Sequence, residues 1–100
     1  MYTIIWKYKI KAEFEDIFEK EYGTNGAWYN LFEESEDYRG SILYKSQEEV
    51  NSYFLMDTWT TKESYEAFKK SCDEIYRKLS SQFEYLYETE EKIGTFNSLK

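Results

Sequence analysis

A chain of 100 residues has the length of a single domain, which we place over residues 1–100. Its formal net charge of −7 argues against nucleic acids and anionic membranes as partners, because an acidic surface repels phosphate. The chain has one cysteine and no histidine, which excludes an internal disulfide and removes the commonest metal ligand and general base. No apolar run reaches the roughly 18 residues of a membrane span, and no signal peptide is recognisable. We therefore expect a cytoplasmic protein without a metal or other cofactor.

The first predicted element is a strand over residues 2–10, in which side chains alternate between two faces. One face carries Tyr2, Ile4, Trp6, Tyr8 and Ile10. The other face is mixed, because Ile5 lies on it among threonine and lysine side chains. Alternation of β-branched and aromatic residues with a period of two is typical of a half-buried strand.

Two helical segments follow the first strand. The first begins at Ala12 and is predicted to end at Gly23, since glycine is a common helix terminator. Its apolar side chains lie at helical spacing: Phe14, Ile17, Phe18 and Tyr22. The second segment is short and carries Trp28, Leu31 and Phe32 at the same spacing.

The next segment is an acidic loop with four carboxylates in residues 33–37. It lacks the ligand spacing and the glycine of a calcium-binding loop, so a solvated loop is favoured over a cation site. Residues 38–46 and 52–58 then form two predicted strands. Their connection is short and polar, which predicts a hairpin.

A longer helix is predicted directly after Trp59, where Thr60 and Glu63 match a capping box. Its apolar face comprises Tyr65, Phe68, Cys72, Ile75, Tyr76 and Leu79. On that face Cys72 is predicted to be a buried, inert thiol. A second capping box at Ser81 and Glu84 predicts a short helical turn anchored by Phe83 and Leu86, and the last strand is predicted over residues 88–96.

The order strand, helix, strand, strand, helix, strand predicts an α+β fold of the ferredoxin-like type. In that fold a four-stranded antiparallel sheet carries its helices on one face. The third strand bears apolar side chains on both faces, however, with Leu55 on one and Phe54 and Met56 on the other. Because helices cover only one face, we predict a homodimer built through the other face of the sheet.

One segment also resembles a known family through its sequence Trp59-Thr60-Thr61-Lys62-Glu63-Ser64-Tyr65. It is similar to the strand-to-helix junction of the antibiotic biosynthesis monooxygenase domain. There a strand ends in an aromatic residue, a small polar residue caps the helix, and an aromatic residue follows in its first turns. The resemblance implies a dimeric α+β barrel, in which two sheets face each other across a two-fold axis.

The family implied by this resemblance includes haem-degrading enzymes, cofactor-independent oxygenases of polycyclic aromatic compounds, and members without known activity. The haem-degrading branch places an Asn in the first strand, a Trp on the second long helix and a His further along it. Here the first strand has no Asn, the matching helix position is Phe68, and His is absent, which argues against haem degradation. The oxygenase branch implies aromatic pocket residues with an Asn or Arg near the substrate, for which Trp28, Arg39 and Trp59 are the candidates.

Two kinds of residue are candidates for a functional site. Asp57 lies in an aromatic-rich strand, where a carboxylate in an apolar pocket gains a raised pKa and can act as a general base. The alternative is a solvated Asp57, or one paired with a cross-strand cation such as Arg39. The candidates for lining a substrate pocket are Trp6, Trp28, Arg39, Tyr53, Trp59 and Phe68. The alternative for the tryptophans is plain packing in the core or in a subunit interface.

Two functions remain open at this point. The first is a monooxygenase-like enzyme that oxidises a small aromatic or polyketide-like substrate without a cofactor. The second is a non-catalytic dimeric module that binds a small hydrophobic ligand. A pocket of a few hundred Å³ with convergent polar groups favours the first, and a pocket filled by its own aromatic side chains favours the second.

Overall fold

The computed structural model describes residues 1–99 and contains one antiparallel sheet of four strands. The strands are β1 (Tyr2–Ile10), β2 (Tyr38–Lys45), β3 (Ser52–Trp59) and β4 (Tyr87–Asn97), in the order β2-β3-β1-β4. The two neighbours of β1 are therefore β3 and β4, and all three pairings are antiparallel. This arrangement confirms the predicted ferredoxin-like α+β fold.

The helices connect these strands in two groups. Between β1 and β2 lie α1 (Glu15–Tyr22) and α2 (Ala27–Phe32), and between β3 and β4 lie α3 (Lys62–Ser71) and α4 (Asp73–Phe83). Short 3-10 turns precede α1 at Ala12–Phe14 and follow α4 at Glu84–Leu86. Along the part of the chain that is described, no helix is both long and apolar enough to cross a membrane.

The core forms between the helices and one face of the sheet, which we call the inner face. On β1 the predicted alternation is confirmed, since Tyr2, Ile4, Tyr8 and Ile10 are buried and the intervening residues are not. On β3 the buried side chains are Ser52, Tyr53, Leu55, Asp57 and Trp59. The helices add aromatic side chains to the same core, among them Phe18, Tyr22, Trp28, Phe32 and Tyr65.

The long helix predicted after β3 is interrupted at Cys72, which lies between α3 and α4 with φ −112° and ψ 22°. The Ser71 hydroxyl donates to the Phe68 carbonyl at 2.9 Å, a local bond that competes with regular helix geometry. Asp73 and Glu74 then lie in the first turn of α4, where carboxylates favour a new helix start. The prediction of a buried Cys72 was wrong, because the residue at this break is half-buried.

The N-cap of α3 is one residue later than predicted. Thr61 accepts a hydrogen bond from the Ser64 backbone N–H at 3.0 Å, and the Ser64 side chain accepts one from the Thr61 N–H at 3.2 Å. Thr60 is occupied elsewhere, since its backbone N–H and its hydroxyl both donate to Asp37. The capping box is therefore Thr61 with Ser64, and not Thr60 with Glu63.

Three further differences concern element ends and exposure. The predicted capping box at Ser81 and Glu84 is absent, because α4 continues through Ser81 to Phe83. Ile17 and Ile75, which the helical pattern placed on core faces, are instead exposed. The strands end within one residue of the predicted positions. The buried positions of Phe83 and Leu86 are confirmed.

A cavity with a buried carboxylate

A cavity of about 140 Å³ lies between the inner face of the sheet and the helices. The sheet side of its wall is formed by Trp6, Tyr8, Leu55, Asp57 and Glu90. The helical side is formed by Tyr22, Trp28, Phe32, Lys69, Tyr76 and Ser80. Six of these eleven side chains are aromatic, so the wall offers ring faces together with a few polar groups.

Asp57 is the buried carboxylate of this cavity, with 5% of its surface exposed. Ser41 lies opposite it in the β2–β3 register and donates its hydroxyl proton to Oδ1 at 2.6 Å. Since that proton is committed, the hydrogen bond between Tyr38 and Ser41 has the Tyr38 hydroxyl as donor. Burial raises the pKa of Asp57 from 3.8 to about 6, against the opposing effect of the Ser41 hydrogen bond.

Arg39, named above as one possible cross-strand partner of Asp57, lies elsewhere. Its side chain is exposed and donates to the backbone carbonyls of Glu36 and Tyr38. The partner of Asp57 is a neutral hydroxyl group, that of Ser41. Arg39 is therefore not that partner, and within residues 1–99 no cation forms a salt bridge with Asp57.

A second carboxylate, Glu90, lies at the β4 side of the cavity. It is paired with Tyr8 in the register of β1 and β4, and the Tyr8 hydroxyl donates to its Oε2 at 2.7 Å. Burial, followed by the nearby charge of Glu90, raises the pKa of the Tyr8 hydroxyl well above its usual value. Tyr8 is therefore a fixed neutral donor across the physiological pH range.

Lys69 supplies a positive charge to the cavity wall from the last turn of α3. Its ammonium group lies 4.8 Å from the ring centroid of Tyr76 and 5.9 Å from that of Tyr65. Such cation–π contacts hold the group over the aromatic wall. The interruption at Cys72 separates Lys69 on α3 from Tyr76 on α4, so the two helices contribute to the wall independently.

Trp28 reaches the cavity because α2 packs closely against the end of α1. Gly26 precedes α2, and a Cβ there would lie 2.4 Å from the carbonyl oxygens of Lys20 and Glu21. Only glycine allows α2 to approach α1 this closely. The approach places the ring centroid of Trp28 5.0 Å from that of Tyr76. The indole Nε1 of Trp28 is buried beside the Tyr22 hydroxyl, and this polar contact opposes the rise in the pKa of Tyr22 that burial causes.

The structure brings together some of the predicted site residues and separates others. Trp6, Trp28 and Asp57 lie in the cavity wall. Tyr53, Trp59 and Phe68 lie in the core outside the cavity, and Arg39 lies outside it on the protein surface. Trp59 is fully buried and packs against the rings of Phe32, Tyr38, Tyr65 and Phe68.

Sequence reasoning missed Glu90, Lys69 and Ser41. Glu90 is one of several acidic residues in β4, and selecting it requires the β1–β4 register, which shifts twice. Lys69 and Lys70 are neighbours in α3, and only the helix orientation distinguishes them. Ser41 had a readable signal, since pairing the two hairpin strands with their alternation places a β2 residue beside Asp57. Over residues 1–99, no cluster of three or more Cys, His, Asp or Glu side chains is arranged to hold a metal ion.

Residues 1–73 match the family model described as antibiotic biosynthesis monooxygenase. The chain belongs to this family. The match covers β1 through α3, including Asp57, Ser41 and Trp28, and it confirms the resemblance seen in the sequence. No curated protein matches the chain.

Several solved structures share the fold of this member of the antibiotic biosynthesis monooxygenase family. SnoaB, a cofactor-independent oxygenase from Streptomyces nogalater, is 18% identical with a TM-score of 0.71, over 99% of this chain and 93% of SnoaB. A candidate antibiotic biosynthesis monooxygenase from Bordetella bronchiseptica is 18% identical with a TM-score of 0.76, over 99% and 97% of the two chains. MhuD, with two manganese protoporphyrin IX molecules per active site, is 15% identical with a TM-score of 0.75, over 100% and 96%. At these identities the similarity shows the fold alone.

Proposed function

We propose that this chain is a cofactor-independent oxygenase that binds a small aromatic substrate in the cavity and uses Asp57 as the general base. The observation that carries the proposal is a buried carboxylate, with its pKa raised to about 6, in a wall of aromatic rings. A base with a pKa near the working pH combines sufficient basicity with the ionised state needed to accept a proton. The family and the oxygenase SnoaB support the same class of reaction.

The chemistry begins with removal of a proton from an aromatic hydroxyl group by the Asp57 carboxylate. The resulting electron-rich anion reduces molecular oxygen, which is the oxidant and enters from solution. For a phenol with a free para position, the overall reaction consumes one O₂ and gives a para-quinone and one water. The substrate loses four electrons, one oxygen atom enters the ring, and the other leaves as water.

The other polar groups of the site have supporting roles in this proposal. Ser41, backed by Tyr38, stabilises the carboxylate form of Asp57 and fixes its orientation. Tyr8 and Glu90 form a neutral-donor and acceptor pair on the same wall. Lys69 lies where its positive charge stabilises an anionic substrate.

The test is oxygen consumption with a panel of phenols and hydroxylated aromatic ketones. We expect Asp57→Asn to lower kcat by roughly 100-fold or more, as for loss of a general base. Asp16→Asn is the matched control, since Asp16 is an exposed carboxylate on α1, and it should retain full activity. In the wild type, activity should fall as the pH drops through about 6, the pKa of Asp57. Equal activity of the Asp57 and Asp16 variants would exclude Asp57 as the base.

A binding module without catalytic activity is the second candidate, and the size of the cavity favours it. At about 140 Å³ the cavity is smaller than the several hundred Å³ predicted for an enzyme pocket, and most of its wall is aromatic. Ligand binding without oxygen consumption, unchanged in Asp57→Asn, would support this candidate over the enzyme.

For the assembly, we propose a homodimer through the outer face of the sheet, opposite the helices. This face carries a row of apolar side chains across neighbouring strands: Ile5, Ile42, Tyr44, Phe54, Met56 and Phe96. Ile42 is 52% exposed, and Tyr44 and Phe96 are each 49% exposed. An apolar surface of this extent favours association with a second copy of the chain.

A further inference from the structure

The wall of the cavity has a buried end and an open end. Six of its eleven side chains are buried, and Asp57 is among them. We call the other five, which are half-buried or exposed, the mouth of the cavity: Trp6, Lys69, Tyr76, Ser80 and Glu90. A ligand that enters through the mouth reaches Asp57 with its leading end. Its other end therefore stays at the mouth.

Lys69 places an ammonium group at the mouth that has no anionic partner within residues 1–99. None of the four salt bridges in this part of the chain involves Lys69. The side chain is half-buried, and its ammonium group lies over the rings of Tyr65 and Tyr76. A half-buried ammonium group has lost part of its hydration, so it gains more from a bound carboxylate than a fully exposed lysine does.

The acidic side chains around Lys69 are not bound to it. Glu66 on α3 and Asp73 on α4 line a surface groove with Lys69, and the salt bridge of Asp73 is with Arg77. At the mouth itself, Glu90 accepts a hydrogen bond from a tyrosine hydroxyl of β1 at 2.7 Å. The positive charge of Lys69 is therefore available to a ligand at the mouth.

The proposed reaction limits where an acidic substituent can stand on the ring of the substrate. The carbon para to the hydroxyl group is the one that is oxidised, so it must stay free. An ortho carboxylate would lie beside Asp57, where two carboxylates repel each other. The meta position remains. A cavity of about 140 Å³ accommodates an aromatic ring, and a meta substituent can extend from it into the mouth.

We infer that the substrate is a phenol with a carboxylate-bearing side chain meta to its hydroxyl group, and that Lys69 binds this carboxylate at the mouth. Asp57 takes the hydroxyl proton at the buried end. This inference rests on the proposed function, whose substrate class it narrows from small aromatic compounds to hydroxyaryl acids. The oxidation remains that of a phenol with a free para position, with O₂ as the oxidant. Lys69 is the residue that selects an acidic substrate.

The test compares the binding of 3-hydroxyphenylacetate and 3-hydroxyphenylacetamide, which differ in charge but hardly in shape. Isothermal titration calorimetry at neutral pH and physiological ionic strength gives the ratio of the two affinities in wild type and in Lys69→Met. Wild type should prefer the acid, although the net charge of −7 repels anions from the molecule as a whole. We expect this preference to fall by roughly three- to tenfold in Lys69→Met, as for the loss of a half-buried ion pair. An unchanged ratio would overturn the inference.

Lys70→Met is the matched control, because Lys70 is the next residue on α3 and is exposed outside the cavity. It removes the same charge and should keep the wild-type ratio. Lys69→Arg retains the charge and should keep most of the preference for the acid. An equal fall in Lys69→Met and Lys70→Met would contradict a specific role of Lys69. Should Lys69→Met fail to fold, the wild type still decides, since equal affinities for acid and amide would overturn the inference.

These binding measurements need no turnover, so their outcome is separate from that of the oxygen-consumption test. A preference for the acid that depends on Lys69, without oxygen consumption, would support the assigned ligand class and remove the proposed enzyme function alone. Oxygen consumption at equal rates with acid and amide, together with equal affinities, would remove the role of Lys69 alone.

Discussion

Asp57 and its neighbours determine the chemistry that the site can support at the scale of single residues. Its carboxylate accepts a hydrogen bond from Ser41 and lies among aromatic side chains. Lys69 and Glu90 line the same cavity, one positive and one negative. Burial outweighs the opposing effect of the Ser41 hydrogen bond, and the pKa of Asp57 is raised to about 6.

A carboxyl group with a raised pKa destabilises the fold at neutral pH. The pKa of Asp57 is about 6 in the fold against an ordinary value of 3.8, so between these pH values the folded state binds more protons than the unfolded state. The contribution of Asp57 to stability therefore falls as the pH rises from about 4 to 6. Above pH 6 the full cost amounts to about 3 kcal/mol.

Asp57→Asn should remove this cost, because the amide stays neutral and can still accept from Ser41. We expect the free energy of unfolding at pH 8 to rise by about 1–2 kcal/mol, with little change at pH 4. Urea denaturation at the two pH values measures the difference. Asp16→Asn, an exposed control, should leave both values unchanged. A variant less stable than wild type at pH 8 would contradict the raised pKa.

Ser41→Ala should raise the pKa of Asp57 further, because the Ser41 hydrogen bond favours the charged carboxylate. The loss of a charge-assisted hydrogen bond corresponds to roughly one pKa unit. Titration of the ¹³C-labelled Asp57 carboxyl group by NMR measures the shift. Ser80→Ala, which also alters the cavity wall, is the control and should leave the titration unchanged. A downward shift in Ser41→Ala would contradict the hydrogen-bond assignment.

At the scale of elements, the junction between β3 and α3 depends on how the adjacent loop is held. Thr60 is bound to Asp37 through its backbone and its hydroxyl group, which keeps the chain extended for one more residue. Thr61 then becomes the N-cap of α3. This junction follows directly on Trp59, so it also fixes the α3 side of the cavity, including Lys69.

Thr61→Ala should lower the free energy of unfolding by about 1 kcal/mol, the usual cost of losing an N-cap side chain. Glu63→Ala is the control that separates the observed capping box from the one expected from the sequence. Because Glu63 is exposed in the first turn of α3 and contributes there only through the helix dipole, its loss should cost about 0.5 kcal/mol or less. Chemical denaturation of the two variants provides the measurement. A larger loss of unfolding free energy in Glu63→Ala than in Thr61→Ala would contradict the capping box formed by Thr61 and Ser64.

At the scale of the whole molecule, the cavity needs elements that are far apart in sequence. The sheet side comes from β1, β3 and β4, and the helical side from α1, α2, α3 and α4. The helices cover the inner face of the sheet. The apolar row on the outer face therefore remains uncovered. Dimerisation through the outer face would leave the cavity between the sheet and the helices of each subunit.

The proposed dimer should have twice the 12.2 kDa chain mass in sedimentation equilibrium. Ile42→Lys places a charge in the apolar row of the outer face and should convert the protein to a monomer, because an unpaired charge buried in an interface is costly. Ile75→Lys is the matched control, since Ile75 is 54% exposed on α4 and Ile42 is 52% exposed on β2. This variant should remain dimeric. A monomeric wild type, or dissociation by both variants, would exclude the outer face as the interface.

The sequence by itself determined the strands, their faces and the order of the elements. Alternation with a period of two depends on local geometry alone, which is why the buried faces of β1 and β3 were predictable. The strand order followed from the element order through the few topologies that short connections permit. Asp57 was identifiable for the same reason, as a carboxylate on an otherwise apolar strand face.

The tertiary structure alone decided which side chains meet around Asp57. Glu90 reaches the cavity only through a β1–β4 register that shifts between Ile5 and Trp6 and again between Lys9 and Ile10. Such shifts are set by packing across the whole sheet, because a one-residue slip moves every following side chain to the opposite face. A local sequence pattern cannot predict these shifts, because the contacts that set them come from distant parts of the chain.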